Sequence, residues 1–113
     1  MVSKRVAKKE VLKVEDESLR DYELVLIVSP EVGEEKFEAI VDNVSQFITG
    51  KGGAISDVER WGKRKLAYPI RRFMEGSYVL TRFRLKPALS QELEANLQIS
   101  EEVLRHLLVR LSS

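Results

Sequence analysis

From Tyr22 onward the apolar positions switch between two periods. Tyr22, Leu24, Leu26 and Val28 take every second place in YELVLIV, the period of a strand with one buried face. Ser29-Pro30 interrupts the run. Pro30 with Glu31, Glu34 and Glu35 predicts a helix start, because proline and carboxylates both suit a first turn. Phe37, Ile40, Val41, Val44, Phe47 and Ile48 then recur at three- and four-residue spacing, which gathers them on one helical face. Gly50 and Gly52-Gly53 predict the end of that helix, since glycine takes left-handed backbone angles without steric cost.

A second strand is expected from about Ala54, carrying Ile55, Val58 and Trp61 into the segment Arg60 to Arg72. A turn over Phe73 to Gly76 leads to a third strand, Tyr78 to Leu85. There Val79, Thr81, Phe83 and Leu85 alternate against Tyr78, Leu80, Arg82 and Arg84. The second and third strands therefore read as a hairpin. Pro87 opens a second helix with Leu89, Leu93 and Leu97 in one stripe. Val103 to Leu111 fits a strand, and through Leu104, Leu107, Leu108 and Leu111 it fits a helix equally well; topology decides for the strand. The order β-α-β-β-α-β predicts an α+β fold of the ferredoxin-like, split βαβ type. It has a four-stranded antiparallel sheet with two helices on one face and the other face open.

The chain has 113 residues, 43% of them hydrophobic, enough for one compact core. That core is expected over residues 21–113. Residues 1–20 read as a disordered extension of mixed charge, with a short helix over Val6 to Val14 as the alternative. Lys4, Arg5, Lys8, Lys9 and Lys13 lack the apolar stretch of a secretory signal, and Glu10, Glu15, Asp16 and Glu17 do not suit a mitochondrial transit peptide. The longest apolar run, Leu24 to Val28, is far short of the roughly 20 residues of a membrane-spanning helix. With no cysteine, disulfides and thiolate metal sites are excluded. These features predict a soluble protein, and the lack of cysteine fits a reducing interior such as the cytoplasm without fixing it.

Catalysis finds little chemistry to work with. His106 is the one histidine and has no second histidine or cysteine to build a metal site or a dyad. Glu34-Glu35 begins a helix and Glu101-Glu102 lies in a connection, so both pairs read as caps or solvated charge. Gly50-Lys51-Gly52-Gly53 resembles a phosphate-cradling loop but follows a helix, whereas such a loop follows a strand and opens a helix. Asn43-Val44-Ser45 matches a glycosylation acceptor but falls inside a predicted helix. No catalytic, cofactor-binding or metal-ligating residue is expected.

Charge points elsewhere. Arg60 to Arg72, RWGKRKLAYPIRR, holds six cationic residues and two aromatics and no carboxylate, in a chain of net charge +1. Lysines on an edge strand also serve to keep it unpaired. Yet residues 31–42 carry five carboxylates to one lysine, which gives the domain a positive end and a negative side. Such an arrangement orients a protein on a phosphate surface, where Lys63, Arg64 and Lys65 fix position rather than read sequence. Arg82, Arg84, Lys86, Arg105 and Arg110 extend the patch if their faces coincide. The third strand, YVLTRFRL, lacks the aromatic signature of the single-strand RNA recognition module, so folded RNA bound through shape and phosphate is the expectation.

YELVLIVSP at 22–30, WGKRKLAYPI at 61–70, EGSYVLTRFRL at 75–85 and VLRHLLVRL at 103–111 resemble, in order and spacing, the bacterial-type ribosomal protein six of the small subunit. The resemblance covers about Asp21 to Leu111. It implies a ferredoxin-like fold, no enzymatic activity and a place in the central domain of the 16S-type small-subunit ribosomal RNA. It also implies pairing with small-subunit ribosomal protein eighteen. The first twenty residues have no counterpart in the family's usual start. Lys63, Arg64, Lys65, Arg71, Arg72, Arg105 and Arg110 become candidate RNA contacts, and Trp61, Leu66, Tyr68 and Ile70 candidate partner contacts. A regulatory ferredoxin-fold domain that binds an anionic small molecule is the competing reading.

Overall fold

The computed structural model describes residues 18–111. The expected order is present: β1 Arg20–Val28, α1 Glu34–Gly50, β2 Ala54–Ile70, β3 Phe73–Leu85, α2 Pro87–Gln98 and β4 Val103–Arg110. All pairings are antiparallel, and the sheet runs β2-β3-β1-β4. The fold is the ferredoxin-like split βαβ arrangement. The expectation of an amino-terminal extension lies outside the described residues apart from 18–20, and Arg20 already belongs to β1.

Alternation decides which side chains are buried. Tyr22, Leu24, Leu26 and Val28 of β1 and Val79, Thr81, Phe83 and Leu85 of β3 are all buried. The apolar ones join Ile40, Val41, Val44 and Ile48 of α1, Leu93 and Leu97 of α2, and Val103 in one core. Tyr22 stacks on Phe83 across the β1–β3 pair, with ring centroids 5.6 Å apart. β4 is a strand because its pairing with β1 puts Leu108 opposite Leu24 and Val103 opposite Val28, which no helical reading of its leucines allows.

Two boundaries differ from the sequence expectation. α1 begins at Glu34 rather than at Pro30, because the Val32 amide donates to the Ser29 carbonyl (3.1 Å) and the Glu31 amide to the Ser29 hydroxyl (3.2 Å). That turn uses the donors of the residues after Pro30 before any helix forms. The hairpin reverses at Arg71-Arg72, not over Phe73 to Gly76, and Arg71 takes the left-handed φ of 57°. β3 is consequently longer than expected at its start.

That extra length shapes the molecule. β1 pairs with β3 only as far as Val28 opposite Ser77, whereas β2 pairs with β3 on to Ile70 opposite Phe73. The end of the hairpin, Arg64 to Gly76, therefore runs past the end of β1, and Lys63 stands level with its last pair. Gly76 stands at the departure point, buried against β1. A side chain there would meet Ile27 Cγ2 at 2.5 Å and the Val28 carbonyl at 3.3 Å, so only glycine lets the strands part at this distance.

Phe83→Ala should lower unfolding free energy by about 3–5 kcal/mol. Leu107→Ala, at a side chain 54% exposed on the open face, should change it by less than about 0.5 kcal/mol. Urea unfolding checks both, and equal effects would contradict the assignment of the core to the helical side of the sheet.

Candidate nucleic-acid interface

β2 is an edge strand with three register shifts, between Ile55 and Asp57, Arg60 and Gly62, and Lys65 and Ile70. Each shift changes which face the following side chains take. The second is centred on Gly62, whose φ of 81° suits glycine. It sets Trp61 and Gly62 against Tyr78 alone, and so puts Arg64 on the open face with Trp61 and returns Lys63 and Lys65 to the helical side. In the third, Leu66 to Pro69 stand against Met74 alone. Bulges of this kind also keep a long edge strand from pairing with other chains.

The cations divide by their partners. Arg60 forks onto Glu38 of α1, with bonds of 2.8 and 2.7 Å. Arg72 pairs with Glu31 at 3.3 Å and lies 4.6 Å from the centre of the Phe73 ring. Arg71 donates to the Glu101 carbonyl at 3.1 Å. Arg105 donates to the Tyr68 hydroxyl at 2.9 Å, which ties the third bulge back to β4. Among the described residues, Lys63, Arg64, Lys65, Arg105 and Arg110 form no ion pair. The hairpin end thus presents charge that α1 does not neutralise.

Most of the expected RNA contacts come together there. Arg64, Lys65, Arg71 and Arg72 share the overhanging end, Lys63 stands where it begins, and Arg105 reaches it through Tyr68. Arg110 does not join them: it stands opposite Tyr22, at the other end of β4 and on the other face from Arg105, which stands opposite Ile27. Nor do Arg82 and Arg84 extend the patch. Arg82 bonds to Glu23 (2.8 Å), Asp57 (3.1 Å) and Glu59 (2.9 Å), and Arg84 to Asp21 (3.0 Å), so their charge is spent within the sheet.

Of the expected partner contacts, Leu66 and Ile70 are half-buried, while Trp61 and Tyr68 are 39% and 56% exposed. An apolar stripe that sequence reasoning did not single out crosses the open face: Val25 and Ile27 of β1, Leu80 of β3, and Leu107 and Val109 of β4. Its signal was available in the positions that alternate with the core set.

Other chemistry is sparse among the described residues. They hold no cluster of three metal-binding side chains, and no helix is long and apolar enough to cross a membrane. A groove of about 640 Å³ between α1 and α2 is floored by Ile40, Val44, Leu93 and Leu97; its one cation, Lys36, is held by Glu102 at 3.4 Å. That lining does not suit an anionic metabolite.

The family model described as Ribosomal protein S6 matches residues 21–110. A small ribosomal subunit protein bS6 of Dehalococcoides mccartyi is 44% identical over 106 residues, 94% of this chain and 97% of the relative. That alignment is long enough to take in part of residues 1–20, so the extension does have a counterpart in this relative. A bS6 protein of Moorella thermoacetica is 43% identical over 93 residues, 82% of this chain and 95% of the relative. The crystal structure of 30S ribosomal protein S6 from Thermotoga maritima superposes with a TM-score of 0.78 at 38% identity, covering 82% of this chain and 88% of that one.

The Arg60 fork holds the Glu38 carboxyl below its ordinary value of 4.5, the hydrogen bond being the main cause. A carboxyl lowered on folding adds stability above its unfolded value and loses it as pH falls through the folded one. Glu38→Gln should therefore be less stable than the parent at pH 7, and the gap should close as the pH is taken below 4.5. Urea midpoints measured across that range check it; a gap independent of pH would contradict the pairing.

Proposed function

The chain belongs to the ribosomal protein S6 family and is a structural, non-enzymatic protein of the small ribosomal subunit; from this premise we propose that it binds the central domain of small-subunit ribosomal RNA jointly with small-subunit ribosomal protein eighteen. The observation that carries the reading is the hairpin end. Arg64 and Lys65 project past the end of β1, Lys63 stands level with its last pair, and none of the three forms an ion pair with a carboxylate among the described residues. Phosphates supply what those cations lack, and each contact releases counterions from the RNA. Arg71, Arg72 and Arg105 stand at the same end, but their existing bonds make them the secondary contacts.

The partner protein takes the open sheet face. Leu107 and Val109 are 54% and 41% exposed there, beside Val25, Ile27 and Leu80, and an apolar stripe of this kind suits a protein surface rather than phosphate. Leu66 and Tyr68, in the third bulge, continue that contact towards the hairpin end, whereas Ile70, opposite Phe73, stands on the helical side and drops out of it. Arg82 with its carboxylates forms the polar rim on the β2 side. A ribosomal protein of this kind works in the bacterial cytoplasm.

Filter binding to a central-domain RNA fragment, with and without protein eighteen, tests the reading. The Lys63→Ala, Lys65→Ala double variant should flatten the slope of log affinity against log salt by about 1.4–1.8, the loss of two phosphate contacts. Failure of the parent chain to bind under both conditions at moderate salt would overturn the reading, and an unchanged slope would remove these lysines from the interface.

A further inference from the structure

Resting on that RNA-binding reading, we propose that Trp61 and Arg64, seated on Tyr78, form a stacking site for one unpaired nucleobase of the bound RNA. The sequence suggested a protein contact for Trp61 and a phosphate contact for Arg64, as separate roles. The bulge at Gly62 puts both on one face, with the Arg64 guanidinium 5.8 Å from the centre of the Trp61 ring. Without that extra residue, strict alternation would send Arg64 to the helical side.

The ring is held rather than loose. Trp61 and Tyr78 stack with centroids 6.2 Å apart and planes 17° from parallel. The indole Nε1–H donates to Glu59 at 3.1 Å, and Glu59 in turn accepts from Arg82 at 2.9 Å. This bond to Trp61 is the largest cause holding the Glu59 carboxyl below its ordinary range, so the acceptor stays ionised and the ring stays oriented. With its one donor satisfied, the indole offers a π-surface and no unmet hydrogen bond. It is 39% exposed and stands outside the core.

A nucleotide suits this site better than a protein side chain. An aromatic surface takes any base, and a neighbouring cation meets the phosphate that travels with it. Arg64 is that cation, and its bond to the Trp61 carbonyl is long, 3.4 Å, so it is readily exchanged for a phosphate oxygen. Position agrees. Trp61 lies on β2, whereas the exposed apolar residues Leu107 and Val109 lie on β4, three strands away in the order β2-β3-β1-β4. At about 4.8 Å per strand that is roughly 14 Å, which puts Trp61 beside the cationic hairpin and away from the exposed β4 part of the apolar stripe. The nearer members, Leu80 and Ile27, are buried and half-buried.

Trp61 is the one tryptophan of the chain, so its emission reads the site directly. The full chain with protein eighteen is titrated with the central-domain RNA fragment. Affinity is measured by filter binding and Trp61 emission as the difference from Trp61→Phe. RNA should quench Trp61 beyond any change caused by the partner. Trp61→Ala should weaken RNA binding by about 5- to 150-fold, with partner affinity unchanged, and Trp61→Phe should restore most of the loss. Normal RNA binding with no quenching, and equal affinity in Trp61→Ala, would overturn the stacking site and leave the RNA-binding reading standing. A loss of partner affinity alone would assign Trp61 to the protein and overturn it too. Absence of RNA binding by the parent complex would bring down both. If Trp61→Ala does not fold, the parent's quenching and the Trp61→Phe affinity still decide.

Discussion

The placement of β3 between β1 and β2 is the constraint on which the other features depend. Its inward residues, Val79, Thr81, Phe83 and Leu85, are buried, so a slip of one place would turn this whole set to the open face and bring Arg82 and Arg84 into the core. With register fixed this strongly, the unequal lengths of its two neighbours become a structural statement. β1 ends where Ser29-Pro30 turns the chain towards α1, while β2 continues beside β3. The hairpin end overhangs because one neighbour stops first.

What the overhang carries is decided by the bulges in β2. The shift at Ile55 to Asp57 turns Asp57 and Glu59 to the open face, where they meet Arg82; the shift at Gly62 turns Arg64 to the same face and the flanking lysines away from it. One edge strand thus holds a neutralised section near its start and an unneutralised one near its end. The acidic first turns of α1 are close enough to take Arg60, through Glu38, and Arg72 is taken by Glu31. Lys63, Arg64 and Lys65 remain available to a polyanion. Sheet, helix and edge irregularity together produce the polarity that composition had shown only as a sum.

Much of the fold was legible in the sequence because β1, β3 and α1 each bury one face and keep one period. The six elements follow from Tyr22 to Val28, Phe37 to Ile48, Tyr78 to Leu85 and the prolines and glycines between them. The candidate site was less legible. Period-two alternation assumes an unbroken ladder, and nothing in KRKLAYPI announces three extra residues opposite Met74. Neutralisation was hidden too, since Arg82 meets its carboxylates across 25 and 59 residues of sequence. Arg110 looked equivalent to Arg105 until the pairing with β1 put them on opposite faces. The apolar stripe of the open face went unremarked because the same alternation that marks a core face leaves its opposite face defined only by default.

The central claim is that the overhanging hairpin end, and not the helical layer, meets RNA. Acetylation rates of individual lysines, measured in the free protein and in assembled small subunits, test it directly. Lys63, Lys65, Lys36 and Lys51 are all exposed in the free chain, so each starts from a reactive state. The account predicts strong protection of Lys63 and Lys65 on assembly, with Lys36 and Lys51 on α1 and its end still reactive. Protection of Lys36 and Lys51 with Lys63 and Lys65 unchanged would contradict it.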